Sequence, residues 1–206
     1  MKRILTTFVC FVALIQFTMG QTAIDRIRTH YSELKSYVAE MATWDEEYPV
    51  PTFYHVKIQE NYPGTGRHEE DVYIYHEIIE PEDEDVIFPP KRISFVTTKY
   101  NFAARVFYEE YLYDEKGNIE FIYGSNPYDL DDKAWEYRFY FNGGKLIKSI
   151  VKNRPYIDGG ANMGEYEVAY EGSGISKSFE DIYKSYLAKS KRFKKLFEAV
   201  SDVQCY

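Results

Sequence analysis

Cysteine is scarce in this chain. Only Cys10 and Cys205 occur among its 206 residues, and Cys10 lies in an N-terminal stretch that we expect to be removed. A single thiol cannot form an intrachain disulfide, so the disulfide-rich scaffolds of small extracellular domains are excluded. The remaining thiol could pair with its equivalent in a second chain. A disulfide-linked dimer through Cys205 is therefore one hypothesis, and a free cysteine packed under the last helical turn is the other.

Long apolar runs are also missing. Beyond the N-terminus nothing approaches about 18 consecutive apolar residues, so we expect no transmembrane segment. The first twenty residues match a cleavable signal peptide, because two basic residues and an apolar stretch precede the small residues Thr18 and Gly20. Gln21 follows, where a lipoprotein would carry cysteine. We therefore expect cleavage after Gly20, export to a bacterial periplasm or beyond the cell, and one mature domain over residues 21–206.

Positive charge is in deficit. The sequence has 25 Lys and Arg against 33 Asp and Glu, and loss of Lys2 and Arg3 with the signal peptide (25 − 2) would leave 23 against 33, or −10. General nucleic-acid binders need positive charge to displace counterions from phosphates, so that class of protein is excluded. The one basic patch, on the predicted C-terminal helix, comprises Lys177, Lys184, Lys189, Lys191, Arg192, Lys194 and Lys195. We interpret it as a solvated helix face; contact with anionic lipid or polysaccharide is the alternative.

Sequence signatures of catalysis are absent as well. There is no Gly-x-Ser-x-Gly elbow, no phosphate loop and no His-Glu-x-x-His zinc motif. We therefore expect no cofactor and favour a binding protein over an enzyme. Carboxylates are abundant, however, so a carboxylate-dependent hydrolase acting on envelope polymers stays open as an alternative.

Metal-ligating residues lack a recognisable spacing. His55, His68 and His76 surround the first predicted hairpin, but a turn centred near Gly64 places residue 55 opposite residue 73. His55 then shares a face with Tyr73 and not with His76. The acidic segments 80–85 and 126–132 do not follow the spacing of a calcium-binding loop. We expect no metal site.

Apolar periodicity, which the sequence does have, predicts an α+β fold. Spacings of three and four residues from Ile24 to Met41 indicate an N-terminal helix, and a second helix opens near Ser178. Between the helices, alternating apolar and polar residues predict seven or eight strands. These are placed at 52–60, 71–79, 92–100, 104–113, 118–123, 134–141, 145–152 and 165–171. We expect a curved antiparallel meander with both helices packed on one face of the sheet.

Two turns of the meander resemble each other. Gly117 and Gly144 each precede, by two places, the apolar residue that restarts a strand. Glycine is favoured at such positions because it reaches positive φ without steric cost. The pattern predicts tight hairpin turns at both glycines.

Tyrosine is the strongest compositional signal, with 21 Tyr and 14 Phe. Aromatic residues suit half-buried strands, but exposed rings on a sheet also stack on sugars or hold peptides and apolar ligands. We therefore predict an exported binding module that uses an aromatic sheet face. The candidate ligand-binding residues are Tyr108, Tyr111, Trp135, Tyr137 and Tyr140. A periplasmic carrier of apolar ligands or lipoprotein-like cargo, held in the hollow of the sheet, is the alternative.

Overall fold

The computed structural model describes residues 2–41, 53–81, 89–127, 133–157 and 162–202. The chain divides into two compact units, Met1–Asp45 and Glu46–Tyr206, which are described separately below. The predicted cysteine bridge at Cys205 and most of the predicted acidic loops lie outside the described residues.

The first unit contains one helix, α1, which runs from Lys2 to Met41. It begins before Ile24, the residue at which the apolar periodicity starts. Among its described side chains, Ile24, Ile27 and Met41 are buried, as the predicted apolar stripe requires. None of the described helices is long and apolar enough to cross a membrane.

The second unit contains an open antiparallel sheet in which β1 to β8 follow one another in chain order, and β9 pairs with β7. Every strand up to β8 therefore pairs with its neighbour in sequence, which confirms the predicted meander. The strands are β1 Phe53–Tyr62, β2 Gly66–Ile78, β3 Lys91–Phe102, β4 Arg105–Tyr113, β5 Ile119–Asn126, β6 Lys133–Asn142, β7 Lys145–Ile157, β8 Asn162–Met163 and β9 Glu167–Gly172.

The first hairpin extends further than its apolar pattern predicts. Pairing of β1 with β2 continues without a break from Phe53↔Tyr75 to Tyr62↔Gly66. Residues 66–70 are polar, so apolar alternation alone assigns them to a loop. Backbone pairing with β1 keeps them in the strand.

Both predicted glycine turns are confirmed. Gly117 has φ +70° and Gly144 has φ +74°, values that side chains with a Cβ rarely adopt. At the first turn the Asp114 carboxylate accepts hydrogen bonds from the backbone N–H groups of Lys116 at 2.9 Å and Asn118 at 2.8 Å. Asp114, a residue type that often accepts backbone hydrogen bonds in turns, therefore stabilises the turn that contains Gly117.

The C-terminal helix α2, Glu180–Ser201, packs on one face of the sheet. It follows a 3-10 turn at Lys177–Phe179, so the α-helix starts two residues after the predicted Ser178, and its N-cap makes no side-chain hydrogen bond. The Tyr111 and Phe193 rings meet edge-on at 4.9 Å, and the Tyr113 hydroxyl donates to the Ser190 carbonyl at 2.8 Å. We call this side of the sheet the helix face and the opposite side the second face.

Gly124 allows α2 to come close to the sheet. A Cβ at this position would lie 2.0 Å from the Tyr186 hydroxyl oxygen, well inside van der Waals contact. The absence of a side chain on β5 therefore creates the space that the Tyr186 ring fills.

Candidate functional site

Cross-strand register decides which side chains share a face. His55 lies opposite Tyr73, as predicted, and their rings stack at 4.4 Å. His76 points to the helix face, where its ring stacks on Tyr54 at 4.7 Å and lies near Phe197. The described residues contain no group of three or more His, Cys, Asp or Glu side chains placed to hold a metal ion.

The second face is divided into an apolar row and a polar region. The apolar row crosses β3 to β6 in register, and its side chains are buried: Phe95, Leu112, Phe121 and Tyr140. Phe121 and Tyr140 contact each other, with ring centroids 4.9 Å apart. This row packs like a protein core and leaves no ring free to stack on a ligand.

The polar region lies in the next two rows of the same face. The first row runs Tyr73, Thr97, Glu110, Tyr123 and Arg138 across β2 to β6, and the second contains Tyr108, Ser125 and Glu136. The three tyrosines are half-buried, so part of each ring faces solvent. We call the following six residues the tyrosine platform: Tyr73, Tyr108, Glu110, Tyr123, Glu136 and Arg138.

A buried carboxylate fixes Tyr108 of the platform. The Tyr108 hydroxyl donates to Glu110 Oε1 at 2.6 Å, and Glu110 is only 1% exposed. Burial, followed by this hydrogen bond to a carboxylate, raises the pKa of Tyr108. The hydroxyl therefore stays protonated at neutral pH and acts as a fixed donor.

Glu136 is the second carboxylate of the platform. Its Oε1 accepts from the Tyr123 hydroxyl at 3.2 Å, and its Oε2 accepts from the Arg138 guanidinium at 3.1 Å. Burial and the nearby Glu136 charge raise the pKa of Tyr123 to about 12. Arg138 also lies over the Tyr123 ring at 5.9 Å, and Arg154 lies over Tyr166 at 4.6 Å. A guanidinium group thus flanks the platform ring of Tyr123, and another flanks the ring of Tyr166, which lies outside the platform.

The helix face also contains charge, but there it is enclosed. Glu109 is buried and accepts from the Tyr100 hydroxyl at 2.7 Å, from the Tyr111 hydroxyl and from Lys189 of α2. Glu70 accepts from Thr98 at 3.1 Å and from Arg192 of α2. Each carboxylate therefore has a cation and hydroxyl donors, as buried charges require.

The structure divides the candidate residues inferred from sequence between the two faces. Tyr108 belongs to the tyrosine platform, and Tyr140 lies in the buried row beside it. Tyr111 and Tyr137 are buried under α2, while Trp135 packs against Phe179 at 5.8 Å. The five residues do not form one site.

The other platform residues were missed by sequence reasoning, and irregular register explains why. A register shift between Leu112 and Tyr113 places Glu110 opposite Tyr123, whereas counting from the Tyr113↔Ile119 pair would place residue 122 there. An extra residue of this kind exchanges the faces of a strand. The sequence shows the alternation within β4 and within β6, but it does not show which face of β4 lies on the same side of the sheet as which face of β6.

No protein-family model, no curated protein and no solved structure matches this chain.

Proposed function

We propose that this chain is an exported binding module that holds a glycan on the tyrosine platform. The observation that carries the proposal is the arrangement of three half-buried tyrosine rings around two carboxylates and a guanidinium on one sheet face. Ring faces stack on the C–H surfaces of sugars, while carboxylate and guanidinium groups hydrogen-bond to hydroxyls.

Polar groups between the rings favour a glycan over an apolar ligand. Covering Glu136 and Arg138 with an apolar molecule would remove water from both groups and return no hydrogen bond. A sugar hydroxyl can both donate to the free lone pairs of Glu136 and accept from Arg138. The sheet also fixes the positions of these side chains before binding, which lowers the entropic cost of association.

The carrier alternative requires a hollow on the helix face, and side chains fill that face. Phe139 contacts Tyr183 at 5.3 Å and Tyr186 at 5.8 Å, and Gly124 leaves room only for the Tyr186 ring. An apolar ligand would have to displace α2. The geometry therefore favours the second face as the binding surface.

The hydrolase alternative requires one carboxyl group that donates a proton and another that acts as a base or nucleophile. The paired carboxylates of the helix face, Glu70 and Glu109, instead accept hydrogen bonds from cationic side chains. These contacts favour a role in attaching α2 over a role in catalysis.

Affinity electrophoresis through gels that contain soluble polysaccharides tests the proposal. We expect at least one neutral or acidic polysaccharide to retard the protein, and Tyr123→Ala or Tyr108→Ala to weaken binding about tenfold each, the loss of about one stacked ring. Tyr123→Phe keeps the ring and should retain most of the affinity. Phe102→Ala, which removes an exposed ring at the end of β3 and outside the tyrosine platform, is the matched control.

Three results would contradict the proposal. One is retardation that Tyr123→Ala and Tyr108→Ala leave unchanged. Another is retardation by none of the polysaccharides, and the third is capture of a peptide that competes at Tyr123. Export is tested separately by N-terminal sequencing of the mature protein, which should begin at Gln21; retention of residues 1–20 would contradict it.

A further inference from the structure

Strand β1 forms one edge of the sheet. Of the described residues, only those of β2 pair with it. β1 is ten residues long, contains no proline, and keeps one register with β2 over its whole length. Natural edge strands are usually protected by proline, bulges, short length or several charges, because their free N–H and C=O groups can pair with another chain. β1 has none of the first three devices.

The opposite edge differs from β1. There β7 is covered by β8 at Tyr156 and Ile157 and by β9 further along the strand. β9 has six residues, and its pairing with β7 shifts register between Val151 and Lys152. A short strand with irregular pairing is a poor template for strand addition. The sheet therefore has one long, regular edge.

The sequence of β1 complements itself. We propose that β1 pairs with β1 of a second copy of this chain, antiparallel, with the two-fold axis at Ile58. This register places Ile58 opposite Ile58 of the second copy and Lys57 opposite Gln59. It also places Tyr54 opposite Tyr62. Val56 then lies opposite Glu60, but no like charges face each other, and the isoleucines and the tyrosine rings meet across the interface.

Neighbouring registers are less favourable. Moving the axis by one residue to Lys57 puts two lysines directly opposite each other, and cross-strand like charges are destabilising. Moving it to Gln59 puts Ile58 opposite Glu60. An axis at Ile58 avoids the pair of lysines and pairs all residues from Tyr54 to Tyr62, whereas an axis at Gln59 would pair only those from Val56 to Tyr62. A symmetric antiparallel pair also satisfies the rule that dimer interfaces are isologous.

A second copy fits this edge better than an unrelated extended peptide. The exposed side chains of β1 include only one cation, Lys57, and one anion, Glu60, on opposite faces of the strand. Such an edge offers no charged pocket that would select a foreign peptide. Its complement in ring placement and length is β1 itself. The interface would join two sheets into one and leave both tyrosine platforms on the same face of it.

Cysteine cross-linking tests the register. In protein whose Cys10 and Cys205 are replaced by serine, Ile58→Cys places two thiols directly opposite, with Cα atoms about 4.5–5.5 Å apart, a separation that a disulfide can span. Lys57→Cys is the matched control, because its two Cα atoms would be diagonal neighbours about 7–8 Å apart. We expect Ile58→Cys to give a covalent dimer on mild oxidation and Lys57→Cys to give little.

Sedimentation velocity tests the interface without cysteine. We expect the protein to show a concentration-dependent dimer that Ile58→Lys abolishes, because the substitution places two lysines on the axis. Val168→Lys on β9, an exposed position at the other edge, should leave the dimer unchanged. Circular dichroism of both variants checks that the sheet is intact.

Each contrary outcome rejects the proposal. A protein that stays monomeric at its solubility limit has no such interface. A dimer that Ile58→Lys does not weaken uses another surface. Efficient cross-linking through Lys57→Cys in place of Ile58→Cys shows a different register. A protein that stays monomeric but binds a synthetic peptide of residues 53–62 can accept an added strand without self-association.

Discussion

Tyrosine lies on both faces of the sheet, but the two faces use it differently. Under α2, Tyr100 and Tyr111 donate to Glu109, and Lys189 from the helix completes the group. On the second face, Tyr108 and Tyr123 also donate to carboxylates, and both tyrosines are half-buried there. Hydrogen bonds from tyrosine to glutamate thus help to attach α2 on the helix face, whereas on the second face they hold the rings of the tyrosine platform.

The largest expected effect comes from Lys189→Ala. This change leaves the Glu109 carboxylate buried without its cation, and breaking a buried pair in this way costs on the order of 3 kcal/mol. Chemical denaturation should show a fall in the free energy of unfolding of about that size. The matched change on the second face is Arg138→Ala, whose side chain is 36% exposed beside Glu136, and it should cost less than about 1 kcal/mol. Equal losses would remove the distinction between the two faces.

Gly124→Ala tests the close approach of α2. The added methyl group would overlap the Tyr186 hydroxyl, and forcing extra volume into a packed site costs about 1–3 kcal/mol. Thermal unfolding should show a clearly lower midpoint. Gly174→Ala is the control, since a Cβ there meets no atom within 4 Å. If both variants melt together, the helix does not pack at Gly124 as described.

Acid should weaken the helix face through His76. Burial, and then the charge of Lys91, lowers the pKa of His76, so the folded state disfavours its charged form. The stability that this group contributes is present above the unfolded pKa, about 6.5, and is lost as pH falls below it. His76→Phe keeps a ring against Tyr54 and Phe197 but cannot titrate, so its unfolding free energy should fall less between pH 7 and about pH 5. Identical pH slopes would contradict this assignment.

The smallest effect concerns a turn that belongs to neither packed surface. Ala103, in the turn between β3 and β4, has φ +52°, a conformation that costs alanine about 1 kcal/mol. Ala103→Gly relieves this strain but adds chain entropy to the unfolded state, which offsets about half of the gain. We expect a stabilisation of about 0.5 kcal/mol, measured by chemical denaturation. A destabilised variant would show that the alanine methyl group makes a contact of its own.

Local patterns were sufficient to predict most of the fold. Alternation identified the strands, and the glycines at residues 117 and 144 identified two turns, because both signals are set by neighbours in sequence. The platform was not predictable in the same way. Bulges next to Tyr113 and Phe141 change which side chains of neighbouring strands lie on the same side of the sheet. In addition, the apolar content of the two faces is too similar to show which one α2 covers. Only the register across the five strands β2 to β6 places Tyr73, Tyr123 and Arg138 in one row.

The order of the strands has a consequence for how the second unit folds. Each strand from β1 to β8 pairs with the next, so each hairpin closes a short loop. The contacts of α2 are different, since Arg192 reaches Glu70 across 122 residues and Ser190 reaches Tyr113 across 77. Short loops close at lower entropic cost and sooner than long ones. We therefore expect the hairpins of the sheet to form first. The burial of Trp135 beneath the residues that lead into α2 should be a later kinetic step, which stopped-flow fluorescence can follow.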